Sequence, residues 1–171
     1  MPLTKLKTFL MSAWALGPAP ADKWALFWRQ TKNIRVRLRL GRYHPADEYA
    51  LQTVYGRLHF RDNFGDITNL ANILYDRAYR LTRIAAPGAI VDIGANIGMA
   101  AVWFAYHNPG RAVYCFEPLP PNVALIRQNC PRAHVQQVAV GARRGQMTLQ
   151  VDADSVMASH HVDYSWQTQP V

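Results

Sequence analysis

Apolar positions near the start of the chain follow the period of an α-helix. Four apolar side chains share one face of residues 3–16: Leu3, Leu6, Leu10 and Trp14. The run stops at a Gly-Pro-Ala-Pro segment, residues 17–20, which ends a helix. Two lysines and a short apolar run also give it a faint likeness to a signal peptide. Because Ser12 interrupts that run and prolines crowd the possible cleavage site, we interpret the segment as a helix.

The next two segments differ in their period. Residues 23–30 predict a helix rich in tryptophan, which is typical either of a helix that packs on its domain or of an interfacial membrane helix. We favour packing, since aromatic side chains are mostly buried. Residues 34–40 alternate strictly between apolar side chains and arginine, and this predicts a half-buried strand with a basic outer face. We expect the apolar side of that strand to need a partner surface.

A hairpin and a helix are predicted next. Residues 49–61 have the pattern of two strands that meet at Gly56. Asp66 is a candidate cap for a helix that reaches about residue 83, because a carboxylate accepts hydrogen bonds from the free amides of the first turn. That helix has one apolar face, made of Ile67, Leu70, Leu74, Ala78 and Leu81.

From residue 87 onward, short apolar strands alternate with helices. The predicted strands cover 89–93, 112–116 and 135–140, and the predicted helices cover 96–107 and 120–129. Strand, helix, strand, helix, strand in so few residues predicts a parallel, wound α/β unit. Residues 146–151 alternate like an edge strand, and the polar residues 152–171 predict no element.

Composition and charge narrow the function classes. The chain has 171 residues, so we expect one domain of ordinary size or one domain with a short appendage, and 50% hydrophobic residues are enough for a packed core. Residues 1–42 contain nine of the 19 basic residues and one of the 11 acidic ones, which places the whole net charge of +8 in this arm. No apolar run is long enough for a membrane span. Two cysteines are too few for a disulfide framework. Because there is no CxxC and no cluster of His and Cys, we expect no metal site. We also expect a cytoplasmic protein.

The segment Val91-Asp92-Ile93-Gly94-Ala95-Asn96-Ile97-Gly98 joins the first parallel strand to the first helix. Ligands of such folds lie over this turn. Gly94 allows a sharp turn with open backbone, and Gly98 allows the helix to pack closely on the strand. Glu117 ends the second strand, where a carboxylate can accept hydrogen bonds from both hydroxyls of a ribose. The two features together indicate a cofactor that carries a nucleoside.

The spacing of the glycines argues against a dinucleotide. In a G-x-G-x-x-G fingerprint that starts at Gly94, the second glycine falls on Asn96 and the third on Met99. Because two of the three glycines are missing, we keep a nucleotide-binding, dehydrogenase-like domain only as the alternative interpretation. The pattern D-x-G-x-x-x-G instead looks like the first motif of S-adenosylmethionine-dependent methyltransferases.

Several motifs together resemble the FkbM-type methyltransferase family: residues 91–98, Cys115-Phe116-Glu117-Pro118, Asn122, Leu125, Asn129, Val138-Ala139-Val140-Gly141 and Gly145. Upstream, Phe60-Arg61, Asp66 and Tyr79-Arg80 also fit, so the resemblance covers roughly residues 57–150. It implies a Rossmann-like class I fold and methyl transfer to an oxygen of a sugar, glycolipid or natural product. The implied cofactor is S-adenosylmethionine, with seven binding residues: Asp92, Gly94, Ala95, Asn96, Gly98, Glu117 and Ala139.

The resemblance also implies that part of the fold is missing. The family sheet has seven strands in the order 3-2-1-4-5-7-6, and this sequence supplies strands 1 to 3. After Val151 no apolar strand with an acidic end follows, so we expect a truncated chain that lacks the acceptor half and does not catalyse alone. His134, His160 and His161 have no partner set that would indicate a general base.

We accordingly divide the chain into a basic extension (1–42), a hairpin and helix (43–86), a cofactor-binding half domain (87–151) and a polar tail (152–171). The expected partner is a small-molecule or glycan acceptor, with weak contact of the basic arm to anionic surfaces and no specific nucleic acid. A different class of function is a non-catalytic remnant whose arm binds an anionic membrane or RNA.

Overall fold

The protein, described from a computed structural model, divides into two compact units, Met1–Thr82 and Arg83–Val171. The structure describes residues 3–76, 78–79, 83–142, 145, 148–151, 158–159 and 167–170. The finer division into four segments stays a prediction.

The described residues of the first unit form four α-helices, one hairpin and a π-helical segment. Its elements are α1 (Leu3–Leu16), α2 (Pro20–Gln30), α3 (Lys32–Arg37), β1 (His44–Thr53), β2 (Gly56–Asp62), α4 (Phe64–Asn69) and a π-helix over Leu70–Tyr75. The predicted helix over 3–16 is confirmed. Between α1 and α2, the buried Ser12 hydroxyl donates to Gln30 Oε1 at 2.6 Å. The predicted hairpin is also confirmed, although β1 begins at His44 and the turn consists of Val54 and Tyr55.

Residues 34–40 are not a strand, and this prediction is wrong. Most of the segment belongs to α3, which follows α2 directly through Thr31. Buried Asn33 holds the helix in place, since its Nδ2 donates to Thr68 Oγ1 at 3.2 Å and its Oδ1 accepts from the Tyr43 hydroxyl at 2.6 Å. Leu38 and Leu40 are 62% and 72% exposed, so the predicted apolar strand face does not form.

Asp66 does not cap the helix after the hairpin. The cap is Asn63, whose side chain accepts a hydrogen bond from the Asp66 amide at 2.7 Å. The Asp66 carboxylate is fully buried and accepts from the backbone N, Nε and Nη2 of Arg61 at 2.9, 3.0 and 3.1 Å. Helix α4 ends at Asn69, and a π-helix follows it to Tyr75, whereas the predicted helix reaches about residue 83. Residues 77 and 80–82 lie outside the described part.

The second unit contains the predicted parallel α/β arrangement. Its elements are β3 (Ile90–Ile93), α5 (Met99–His107), β4 (Val113–Phe116), α6 (Pro120–Asn129), β5 (His134–Gln136), β6 (Thr148–Val151), β7 (Ala158–Ser159) and β8 (Gln167–Pro170). Strands β3, β4 and β5 form a parallel sheet in that order, with Asp92 opposite Cys115 and Phe116 opposite Gln136. This is an α/β sheet compatible with part of a Rossmann-like fold.

Two predictions for this unit need correction. Strand β5 ends at Gln136, so residues 137–140 are irregular rather than extended in the sheet. The tail is not without structure, because its described residues include β7 and β8, which pair antiparallel with β6. The sequence pattern missed these strands because strand pairing is made by backbone hydrogen bonds, which do not require alternating apolar side chains. His160 and His161 lie outside the described residues.

The apolar cores of the two units follow the helix faces and the sheet. Among the largest buried side chains are Phe60, Leu26 and Leu70 in the first unit, and Trp103, Leu125 and Ile126 in the second. Some apolar side chains are exposed instead: Val91 and Ile93 on β3 are 57% and 62% exposed. Within the described residues, no helix has both the length and the apolar character needed to cross a membrane.

Candidate functional site

The turn between β3 and α5 is held by the end of the neighbouring strand. The backbone amides of Gly94 and Ala95 both donate to the Phe116 carbonyl, at 2.9 and 3.2 Å. The chain is left-handed at Gly94 (φ 75°), Asn96 (φ 50°) and Gly98 (φ 85°). Three left-handed residues within five make a tightly coiled turn, and glycine occupies two of those positions without steric cost.

The space around the two glycines differs. A Cβ atom placed on Gly94 would meet no heavy atom within 4 Å, so the backbone there faces open space. On Gly98 a Cβ atom would lie 3.4 Å from the Cα of Ile126 in α6. The close approach predicted for Gly98 therefore exists, but its partner is helix α6 and not the strand. Gly94 leaves a place where a ligand can reach the backbone.

Glu117 is buried and binds the turn itself. It is 4% exposed, and its Oε2 accepts from the Asn96 amide at 2.8 Å. Its Oε1 accepts from the Leu119 amide at 3.1 Å and from Asn122 Nδ2 at 3.0 Å. An ionised carboxylate has about four acceptor positions, so three are used within the chain. That Glu117 accepts hydrogen bonds from both hydroxyls of a ribose stays a prediction, and in the structure this carboxylate fixes the turn.

Asp92 has the opposite environment. Its Oδ2 atom is buried and has no hydrogen-bond partner among the described residues, and Asn96 Oδ1 is in the same condition. Burial, followed by repulsion from the Glu117 carboxylate, raises the pKa of Asp92 to about 6. A buried acceptor without a donor is costly. The turn therefore favours a ligand that brings a positive charge or N–H donors.

Two asparagines of α6 complete the support of the turn. Asn122 donates to Glu117, and Asn129 Nδ2 donates to the Ile97 carbonyl at 2.8 Å. Sequence reasoning gave neither of them a role at the site, although both are polar residues on the apolar side of α6. That position is itself a signal, because a polar side chain on a buried helix face needs a partner.

Two further candidate residues are Ala95 and Ala139. Ala95 is buried in the turn, and Ala139 is half-buried in the irregular segment after β5. Burial raises the pKa of the Cys115 thiol on β4 to about 12, so this cysteine is protonated and inert at neutral pH. His134 stacks on Tyr114, with ring centroids 4.7 Å apart. No group of three or more potential metal ligands occurs in the described part of the chain.

Part of this chain is similar to a methyltransferase. The relative is 31-O-demethyl-FK506 methyltransferase FkbM of Streptomyces tacrolimicus, which is 37% identical over 99 residues. The aligned region is 53% of this chain and spans 38% of the length of that relative. No protein-family model matches the chain. No solved structure matches it either.

Proposed function

We propose that the β3–α5 turn binds S-adenosylmethionine and that the chain serves methyl transfer, to an oxygen of a small-molecule or glycan acceptor. The observation that carries this proposal is Asp92, a half-buried residue whose buried Oδ2 atom has no donor among the described residues. The ammonium group at the amino-acid end of S-adenosylmethionine is a donor of the required charge. The partial similarity to a protein named as a methyltransferase supports the same reaction class.

The residues of the turn fit the different parts of this cofactor. Asp92 would accept from the ammonium, and Asn96 Oδ1 offers a second acceptor. The open backbone at Gly94 leaves room for the ligand. Glu117 keeps the turn in shape and retains one acceptor position for a ribose hydroxyl. Ala139 would lie beside the adenine.

S-adenosylmethionine supplies a methyl group on a positively charged sulfur that a nucleophile can attack. The residues described here bind and orient this ligand. None of them is assigned as general base: His134 is engaged in stacking with Tyr114. The family resemblance assigns the acceptor site and the general base to elements that residues 87–151 do not supply. We follow it in this proposal for the whole protein.

The binding test uses isothermal titration calorimetry on the full chain at pH 7.5 with S-adenosylmethionine and with methylthioadenosine, which lacks the amino-acid end. Asp92→Asn should weaken S-adenosylmethionine binding about 10- to 100-fold, the equivalent of a charged hydrogen bond of about 1.5–3 kcal/mol. Methylthioadenosine binding should not change. Asp47→Asn, which alters an exposed carboxylate in the first unit, is the matched control.

The same titration distinguishes the cofactor classes. Affinity for S-adenosylmethionine should fall as the pH drops through about 6, because Asp92 then gains a proton and loses its charge. Binding of NADH without binding of S-adenosylmethionine would refute the proposal in favour of a dehydrogenase-like domain. Equal losses for both adenosine ligands in Asp92→Asn would refute the role given to Asp92.

A further inference from the structure

Helix α2 exposes its apolar side chains. The four residues at i, i+3, i+4 and i+7 along its outer stripe are all exposed and all apolar: Ala21, Trp24, Ala25 and Trp28. Trp24 and Trp28 are 58% and 62% exposed, so the expected packing of these rings on the domain is not found. The charged residues of α2 are only half-buried beside the stripe. This is the reverse of an ordinary surface helix, whose outer stripe is polar.

Helix α1 extends this apolar surface. Leu10, Met11 and Trp14 lie within one arc of the helix and are 41%, 48% and 41% exposed. The Trp14 and Trp24 rings meet edge to face with centroids 5.1 Å apart, which joins the two helices. We call the five large exposed side chains the tryptophan face: Leu10, Met11, Trp14, Trp24 and Trp28.

Positive charge borders the tryptophan face. The Arg35 guanidinium lies 3.7 Å from the centroid of the Trp28 ring, and Lys7 is exposed one turn before Leu10. Arg37 and Arg39 are also exposed, and they alternate in the sequence with the exposed Leu38 and Leu40. Because residues 1–42 carry the entire net charge of +8, the apolar surface lies within a strongly basic segment.

We infer that the tryptophan face docks on an anionic lipid bilayer, with α1 and α2 lying in the plane of the interface. Tryptophan is enriched at the level of the headgroups, and lysine and arginine attract anionic lipids. Helices of 14 and 11 residues are long enough to lie on a membrane. Stacked rings beside arginine also suit single-stranded RNA. The exposed Leu10, Met11, Leu38 and Leu40 favour lipid, because aliphatic side chains do not stack on bases.

Flotation with large unilamellar vesicles tests this inference on the full chain. Vesicles of phosphatidylcholine with 30% phosphatidylglycerol should bind the protein at least tenfold more tightly than pure phosphatidylcholine, in about 0.1 M salt. The double variant Trp24→Ser/Trp28→Ser should lose at least tenfold on the anionic vesicles. Tyr106→Ser removes a ring that is 55% exposed in the second unit, and it should bind like the wild type.

A second double variant separates the contribution of the basic side chains from that of the inserted rings. Arg37→Glu/Arg39→Glu should weaken binding to anionic vesicles and leave the weak binding to neutral vesicles unchanged. Circular dichroism melting curves identical to the wild type establish that each variant is folded. Binding of the wild type to brominated anionic lipid should also quench its tryptophan fluorescence, with less quenching in the Trp24→Ser/Trp28→Ser variant.

Three results would overturn the inference. The first is no flotation with anionic vesicles. The second is binding to a single-stranded RNA without binding to vesicles. The third is a concentration-dependent dimer in sedimentation velocity that the tryptophan variants abolish while vesicles do not bind, because a second copy would then cover the face. None of these readouts depends on S-adenosylmethionine.

Discussion

The Asp92→Asn substitution separates stability from ligand binding at the β3–α5 turn. The wild-type Asp92 residue is half-buried, its buried Oδ2 atom has no donor among the residues that the structure describes, and the Glu117 carboxylate repels it. An asparagine of the same shape removes the charge. We therefore expect the variant to be more stable than the wild type at neutral pH, although it binds S-adenosylmethionine less well.

The size of this stability difference and the pH range over which it develops follow from the pKa of Asp92. The pKa of Asp92 rises from 3.8 to about 6 on folding, which is about two units. At about 1.4 kcal/mol per unit, the ionised carboxylate lowers the free energy of unfolding by about 3 kcal/mol at pH 7. The native state holds the proton more tightly, so wild-type stability falls relative to the variant as the pH rises from 3.8 to 6. Below pH 3.8 the difference should vanish.

Urea unfolding at several pH values measures this difference, with hydrogen exchange of peptides from β3 to α6 reporting on the second unit. The matched control is Glu117→Gln. The two Glu117 oxygens accept three hydrogen bonds, and the substitution replaces one of these oxygens with an amide nitrogen, which cannot accept. That variant should lose about 1–3 kcal/mol at pH 7. The reasoning is refuted if Asp92→Asn is less stable than the wild type at pH 7 or if its advantage does not depend on pH.

Three further substitutions test individual contacts. Gly98→Ala should lose about 1–2 kcal/mol, because its φ is 85° and the new Cβ lies 3.4 Å from Ile126; an unchanged urea midpoint would contradict this. Asn129→Ala should lose about 1–3 kcal/mol and increase amide exchange around Ile97, whose carbonyl it binds at 2.8 Å; unchanged exchange would contradict it. Asp66→Asn should lower the melting temperature of the first unit, since the buried pair with Arg61 accounts for about 3–5 kcal/mol when broken; equal melting curves would count against it.

Local pattern was sufficient for the elements whose partners are near in sequence. Helix α1 and helix α6 have the predicted bounds, and β3 and β4 differ from prediction by one residue. The reason is that a helix is set by apolar spacing and end signals within a few residues, and a buried parallel strand by a short apolar run between turns. The order β3-β4-β5 is the one that the family resemblance implied for strands 1 to 3 of its sheet.

Residues 34–40 show where local pattern is insufficient. Their alternation of apolar and basic residues suits a strand, but Asn33 reaches Thr68, 35 positions away, and Tyr43, 10 positions away. Two satisfied bonds of a buried amide outweigh a β preference, which spans about 1 kcal/mol. Asp66 was misassigned for the same reason, since its partner Arg61 lies on the preceding strand.

The candidate site likewise has features that the sequence predicts and features that only the tertiary structure determines. Its residue types and order, from Asp92 through the glycine turn to Glu117, are legible in the sequence because each motif is contiguous. The environments of the two carboxylates are not predictable in this way. Glu117 accepts from Asn96 in the turn and from Asn122 in α6, whereas Asp92 Oδ2 is buried and has no donor among the described residues. Exposure of the α2 tryptophans is decided in the same way, because spacing shows that side chains share a face and only tertiary packing determines which face is covered.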